Sequence, residues 1–158
     1  MDMPDIIIEK IDQREEPLAI AKELPGFFNK DGLASLGRDL KDQDIYGAFR
    51  GGLLVGFVIL RKADTASLEI SWLAVRPDSQ GQGVGSRLIK DSLNIFSSQG
   101  YKICYVKTLA ETAKDSGYAK TRAFYKKLGF YTLEIISPYP GWTAENPCQI
   151  LAAALPLK

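Results

Sequence analysis

Gly81, Gly83 and Gly85 alternate along Gln80-Gly-Gln-Gly-Val-Gly-Ser86, shortly after the apolar stretch Leu73-Ala-Val75 and directly before a run with helical periodicity. A residue without a Cβ lets the backbone approach a ligand closely and adopt dihedrals closed to other residues. The first amides of a helix have no partner within it and carry the positive end of its dipole. An apolar strand feeding such a helix start is therefore a candidate cradle for a phosphate or pyrophosphate. The competing use of these glycines is tight packing and a turn. Packing alone needs Gly85 but not Gly81 and Gly83.

Other chemistry is bounded by what the chain lacks. It has no histidine, the commonest general base and the commonest transition-metal ligand, so no metal is expected. Cys104 and Cys148 each sit in an apolar, strand-like run. They are expected as buried thiols, not as a disulfide, a metal pair or a nucleophile. Glu69 is the one acid within residues 68–75.

The elements that must position these residues follow from periodicity. With Val84 at zero on a helical wheel, Ile95, Leu88, Phe96, Ile89 and Leu93 fall within one half and the polar residues in the other, so 82–98 reads as an amphipathic helix. Gly85 and Ser92 lie mid-way across the apolar half, where small residues let a helix press on a sheet. Strands are expected at 6–11, 44–50, 53–61, 67–76, 101–108, 130–137 and 148–155, and helices at 15–24, 31–42 and 118–128, with a polar loop at 109–117. Gly51-Gly52 marks a hairpin. At 158 residues, with no repeat or linker, the chain reads as a single domain over 1–158. The expected fold class is α/β (α+β): a three-layer domain with helices on both faces of a central mixed sheet.

Twenty basic against nineteen acidic residues leave a net charge of +1, so no broad field points to nucleic acid. The longest apolar runs are too short to span a bilayer, and the acidic start lacks the charge of a signal peptide. No membrane association and a cytoplasmic location are expected.

Three phosphate-binding readings compete for the glycine run. A P-loop requires Gly-Lys followed by a hydroxyl residue, and neither Gly83 nor Gly85 is followed by lysine. A dinucleotide fingerprint requires an acid at the end of the next strand, but 101–108 ends in Lys107-Thr108. The remaining pattern, Gln80-x-x-Gly83-x-Gly85 after Leu73-Ala74-Val75 and Pro77, resembles the acyl-CoA pyrophosphate loop of the GNAT superfamily of N-acyltransferases. A second match, Ala123-Phe-Tyr-Lys-Lys-Leu-Gly-Phe130, resembles that family's late helix and following strand. The resemblance covers about residues 44 to 155 and follows the family's order of elements.

The resemblance implies a mixed, mostly antiparallel sheet of about seven strands whose central strand splays from its neighbour. Acetyl-CoA would enter as cosubstrate, with the backbone of Leu73, Ala74 and Val75 on its pantetheine arm. Gln80, Gly81, Gln82, Gly83, Val84, Gly85 and Ser86 would surround its pyrophosphate. Transfer to an amine needs a neutral amine, a polarised carbonyl and a proton for the leaving thiolate. Glu69, six residues before Val75, resembles the family's base position, and partial burial strengthens a carboxylate as a base. Its other reading is a solvated residue on a half-buried strand. Tyr125 matches the tyrosine that protonates the thiolate; its other reading is packing. Tyr118 stands where the family often has an asparagine, so no asparagine contact is carried over.

Arg122, about 60° from Tyr125 on the helix, could meet a substrate carboxylate or a CoA phosphate, or be a solvated helix arginine. Phe27, Phe28, Trp72 and Trp142 are the bulky residues placed to shape an acceptor cleft, or are core. The leading expectation is an acetyl-CoA-dependent N-acetyltransferase acting on a small-molecule or peptide amine by direct attack in a ternary complex. The rival is a non-catalytic acyl-CoA-binding or sensing domain. The acceptor's identity and the oligomeric state, a homodimer included, are left open.

Overall fold

The computed structural model describes residues 5–113 and 118–158; part of the expected loop at 109–117 lies outside them. The elements run β1 (Ile6–Ile11), α1 (Glu15–Lys22), α2 (Lys30–Asp42), β2 (Asp44–Arg50), β3 (Leu53–Asp64), β4 (Ser67–Val75), α3 (Val84–Ser98), β5 (Ile103–Leu109), α4 (Ala119–Lys127), β6 (Tyr131–Ile136) and β7 (Cys148–Ala154). The seven strands form one sheet in the order β1-β2-β3-β4-β5-β7-β6. Only β4 and β5 pair in parallel, through the crossover that α3 provides. Every expected element is present, and the sheet is mixed and mostly antiparallel as anticipated. Among the described residues no helix is long and apolar enough to cross a membrane.

Helices cover both faces. On one, α3 and α4 bury Val84, Leu88, Ile89, Leu93, Phe96, Tyr125 and Leu128 against Val58, Leu60, Leu68, Ile70, Val106 and Leu151. On the other, α1 and α2 bury Ile20, Ala21, Leu36 and Leu40 against Ile45, Phe57, Ile59 and Ala74. Alternation along β1 to β4 divides their side chains between these two cores. The helix wheel of α3 errs at one place: Ile95, in the last turn, is exposed.

Two irregularities make the site. On β4, Trp72 pairs with Ile59 and Ile70 with Leu60, so Ser71 is an extra residue that bulges the strand. Its hydroxyl is 2.6 Å from Gln43 Oε1 at the end of α2. The parallel pairing of β4 with β5 then stops after Ile70 and Val106. Beyond that point β4 stays paired to β3 and β5 to β7, while their facing edges part.

Gly56 fixes how closely β3, β4 and α3 meet. A Cβ there would stand 3.0 Å from the Ala74 carbonyl oxygen, 3.2 Å from Val84 Cγ1 and 3.3 Å from Leu88 Cδ1. The carbonyl belongs to a paired strand and cannot swing away as a side-chain tip can. Gly56→Ala is therefore expected to lower stability by about 1–3 kcal/mol, read as a lower midpoint in chemical denaturation.

Candidate active site

The glycine run divides its labour. Gly81 has φ +74° and Gly83 φ +83°, with nothing near the Cβ that either lacks. Both glycines serve the turn and leave its outer side open. Gly85 instead packs: a Cβ there would meet the Phe124 ring at 3.3 Å. Gln80 Nε2 donates to the Val75 carbonyl at 3.0 Å and Gln82 Nε2 to the Asp78 carbonyl at 3.2 Å, so both glutamines brace the loop that joins β4 to α3. Gly83 is the N-cap of α3 and supplies no side-chain acceptor, which leaves the first amides of a 15-residue helix without a cap. Beside them a cavity of about 340 Å³ is lined by Gly83, Ser86, Lys90, Phe124, Lys127 and Leu128. Uncapped amides, a helix dipole and two lysines together suit a multiply charged phosphate ligand.

The parted strands lead away from this cradle. On β4 the backbone of Leu73, Ala74 and Val75 pairs with β3 on one side only. On β5 the Thr108 hydroxyl is buried without a hydrogen-bond partner among the described residues, just past the end of the pairing. An unpaired strand edge and an orphaned hydroxyl fit a ligand that brings its own amides.

Tyr125 and Glu69 lie on opposite faces of the sheet at the point where the strands part. Tyr125 packs with Cys104 and Val106 in the core under α3 and α4, edge-on to Phe124 at 5.0 Å and Phe130 at 5.4 Å between ring centroids. It is only 3% exposed. Burial pushes its phenol above the ordinary value of 10, so at neutral pH it holds its proton. Glu69 pairs across strands with Arg61 and Tyr105 and faces the α1/α2 side. It is 8% exposed, not solvated, and each oxygen is claimed: Arg61 Nε donates to Oε1 at 2.8 Å and Lys107 Nζ to Oε2 at 3.1 Å.

The cluster extends further. Arg61 Nη2 donates to the Tyr105 hydroxyl at 2.8 Å, and the Lys107 ammonium stands 5.2 Å from the centre of the Tyr139 ring. The hydrogen bond to Glu69 pushes Arg61 up despite burial. Burial pulls Lys107 down, but Tyr139 and Glu69 outweigh it and leave it above the ordinary lysine value. Both cations stay charged. Arg61, Tyr105, Lys107 and Tyr139 were not singled out in the sequence. The alternation of β3 and β5 could have placed Arg61, Tyr105 and Lys107 on a face, but not beside Glu69 without the register, and Tyr139 comes from the β6–β7 loop.

The bulky residues take separate places. Phe28 is buried and stacks on Trp72 at 5.3 Å, and Trp72 Nε1 donates to Asp39 Oδ2 at 2.7 Å. Phe27, 52% exposed, meets Tyr118 edge-on at 6.0 Å, linking the α1–α2 loop to the start of α4. Trp142 packs on Tyr139 at 5.5 Å in the β6–β7 loop, which thereby reaches Lys107. Arg122 is not a solvated helix arginine: it is buried, and its Nη1 donates to the Leu109 carbonyl at 2.7 Å, tying α4 to the end of β5. Cys104 and Cys148 are buried free thiols, and burial pushes both above the ordinary thiol value.

The family model described as an acetyltransferase (GNAT) domain matches residues 41–132, more than half of the chain. No curated protein matches it. Among solved structures, a Desulfovibrio desulfuricans protein assigned to the GNAT family is 17% identical with a TM-score of 0.80, over 95% of this chain and 99% of that one. A GNAT family acetyltransferase from Elizabethkingia anophelis, solved with acetyl-CoA bound, is 21% identical with a TM-score of 0.74, over 95% and 98%. The ribosomal-protein-S18-alanine N-acetyltransferase of Escherichia coli is 18% identical with a TM-score of 0.73, over 96% and 94%. These three share the fold; the family match goes further, and the chain belongs to the GNAT acetyltransferase family.

Proposed function

We propose that this chain transfers an acetyl group from acetyl-CoA to a primary amine of a small molecule or peptide, by direct attack in a ternary complex. The observation that carries the reading is the parting of β4 and β5 after Ile70 and Val106, with Glu69 on one face of the gap and Tyr125 on the other. Bound acetyl-CoA supplies an activated acyl carbon. The amides at the start of α3, within the loop Gln80–Gly81–Gln82–Gly83–Val84–Gly85–Ser86, hold its pyrophosphate. Lys90 and Lys127 line the adjoining cavity and suit a further phosphate. The edge of Leu73, Ala74 and Val75 holds amides of the arm, within reach of the Thr108 hydroxyl.

Glu69 receives a proton from the acceptor ammonium, directly or through a water; two of its roughly four acceptor positions are taken by Arg61 and Lys107. The amine nitrogen bonds to the acyl carbon as the carbon–sulfur bond breaks, Tyr125 gives its proton to the departing thiolate, and the second proton that the nitrogen sheds to become an amide leaves through solvent, which reprotonates Tyr125. Cys104 takes no part as an acyl relay, since its thiol is buried, pushed up and without a histidine. Phe27, Phe28, Trp72 and Trp142 form the acceptor's walls. Arg122 acts on the site by tying the end of β5 to α4.

Free-thiol release from acetyl-CoA, measured across a panel of amines, tests the reading together with thermal unfolding. Acetyl-CoA is expected to raise the melting temperature while ATP and NAD do not, and thiol release is expected to depend on the amine. Stabilisation without thiol release by any amine would identify a sensing domain instead. Stabilisation by ATP or NAD but not by CoA would overturn acyl-CoA binding.

A further inference from the structure

The Glu69 cluster is one anion between two cations. Arg61 and Lys107 each bond a different oxygen of the same carboxylate, at 2.8 Å and 3.1 Å, which leaves one positive charge uncompensated. The side chains are half-withdrawn from water, Arg61 39% exposed and Lys107 27%. A partly desolvated ion pair that served only the fold would do best with equal charges, because an unmatched charge there is a net cost. Among the described residues Glu69 is the only acid in salt-bridge contact with Arg61 or Lys107. Glu134 shares a row with Lys107 across the sheet, through Ile150, but lies two strands away, about 10 Å.

The cluster also has unused bonding capacity of both kinds. Arg61 spends Nε on Glu69 and Nη2 on the Tyr105 hydroxyl, and among the described residues no bond occupies Nη1. Lys107 has three protons, of which Glu69 takes one and Tyr139 a further interaction. Glu69 retains acceptor positions on both oxygens. Donors for an anion therefore stand within one side chain's width of acceptors for an ammonium. All of this lies at the branch of the sheet: Glu69 precedes the last paired residue of β4, and Lys107 follows the last paired residue of β5.

We propose that the acceptor is a zwitterionic amine, a free α-amino acid, whose carboxylate is received by Arg61 and Lys107 while its ammonium faces Glu69. This rests on the reading of the chain as an amine acetyltransferase. Arg61 and Lys107 set specificity through binding, whereas Glu69 handles the proton. An acceptor without the carboxylate leaves the excess charge unanswered.

The test compares L-amino acids with their own carboxamides and with the decarboxylated amines, by kcat/KM for thiol release with the wild-type chain. The free acids are expected to be favoured by about 10-fold or more, the worth of a hydrogen-bonded charge contact. Lys107→Met and Arg61→Met should each reduce that ratio by raising KM for the acid more than KM for the amide; each also disturbs Glu69 for every acceptor, so the ratio is the readout. A variant that merely loosened the fold would affect acid and amide alike. Amides or decarboxylated amines used as well as the acids by the wild-type chain would overturn the proposal, and this comparison needs no variant to fold. Failure of every amine to release thiol, with acetyl-CoA still bound, would sink the transferase reading and the zwitterion with it.

Discussion

Tyr125→Phe should lower kcat by about 100-fold or more, the scale of a positioned general acid, while the affinity for acetyl-CoA stays within a factor of about two. The substitution removes one oxygen and keeps the ring that packs against Phe124 and Phe130. Retained melting temperature and retained acetyl-CoA binding with a slowed single turnover would separate a lost proton from a disturbed core. Because burial raises this phenol above 10, its protonated form persists through the physiological range. The wild-type profile should therefore show no fall assignable to Tyr125 until pH rises above the ordinary tyrosine value. An activity unchanged in Tyr125→Phe would return the residue to packing alone.

Glu69→Gln carries the second large effect, and two consequences of it can be measured apart. In catalysis, the neutral amide cannot take the ammonium proton, so turnover at neutral pH should fall by about 100-fold. It should recover as pH rises, because solution then delivers the amine already deprotonated. In stability, Arg61 and Lys107 lose their shared anion. A fully buried pair broken in this way costs about 3–5 kcal/mol, but both cations reach solvent here, so about 1–2 kcal/mol is expected in denaturant titration. Turnover that is low and flat across pH would point to a positioning role for Glu69. Unchanged turnover would remove it from the chemistry.

What could be read in the sequence was whatever depends on neighbouring residues. The use of Gly81, Gly83 and Gly85 was legible because a positive φ or a close approach is a local demand. Two of them meet the first and one the second. The fold class was legible because the two periodicities alternate along the chain. The surroundings of Glu69 were not, because they depend on register. Arg61 comes opposite it across a hairpin, and Lys107 comes from a strand reached only through α3. The burial of Arg122 was not legible either. The Leu109 carbonyl that claims it lies on another element. The splay itself was expected only through resemblance, since no residue pattern on β4 or β5 announces where pairing stops.

Most sheets keep unpaired backbone at their outer strands, here β1 and β6. This one has a second pair of edges in its middle, where β4 and β5 separate. The groups exposed there are main-chain amides and carbonyls, identical in every protein that can adopt the fold. Recognition built on them is insulated from side-chain drift: residues 73–75 can change type without changing what their backbone offers. A domain of this kind can keep its cosubstrate while the acceptor walls are rebuilt, which accords with a shared architecture at 17–21% identity. The same insulation makes the gap robust to most point substitutions and vulnerable to a few that alter its width, with Gly56, Ser71 and Arg122 foremost.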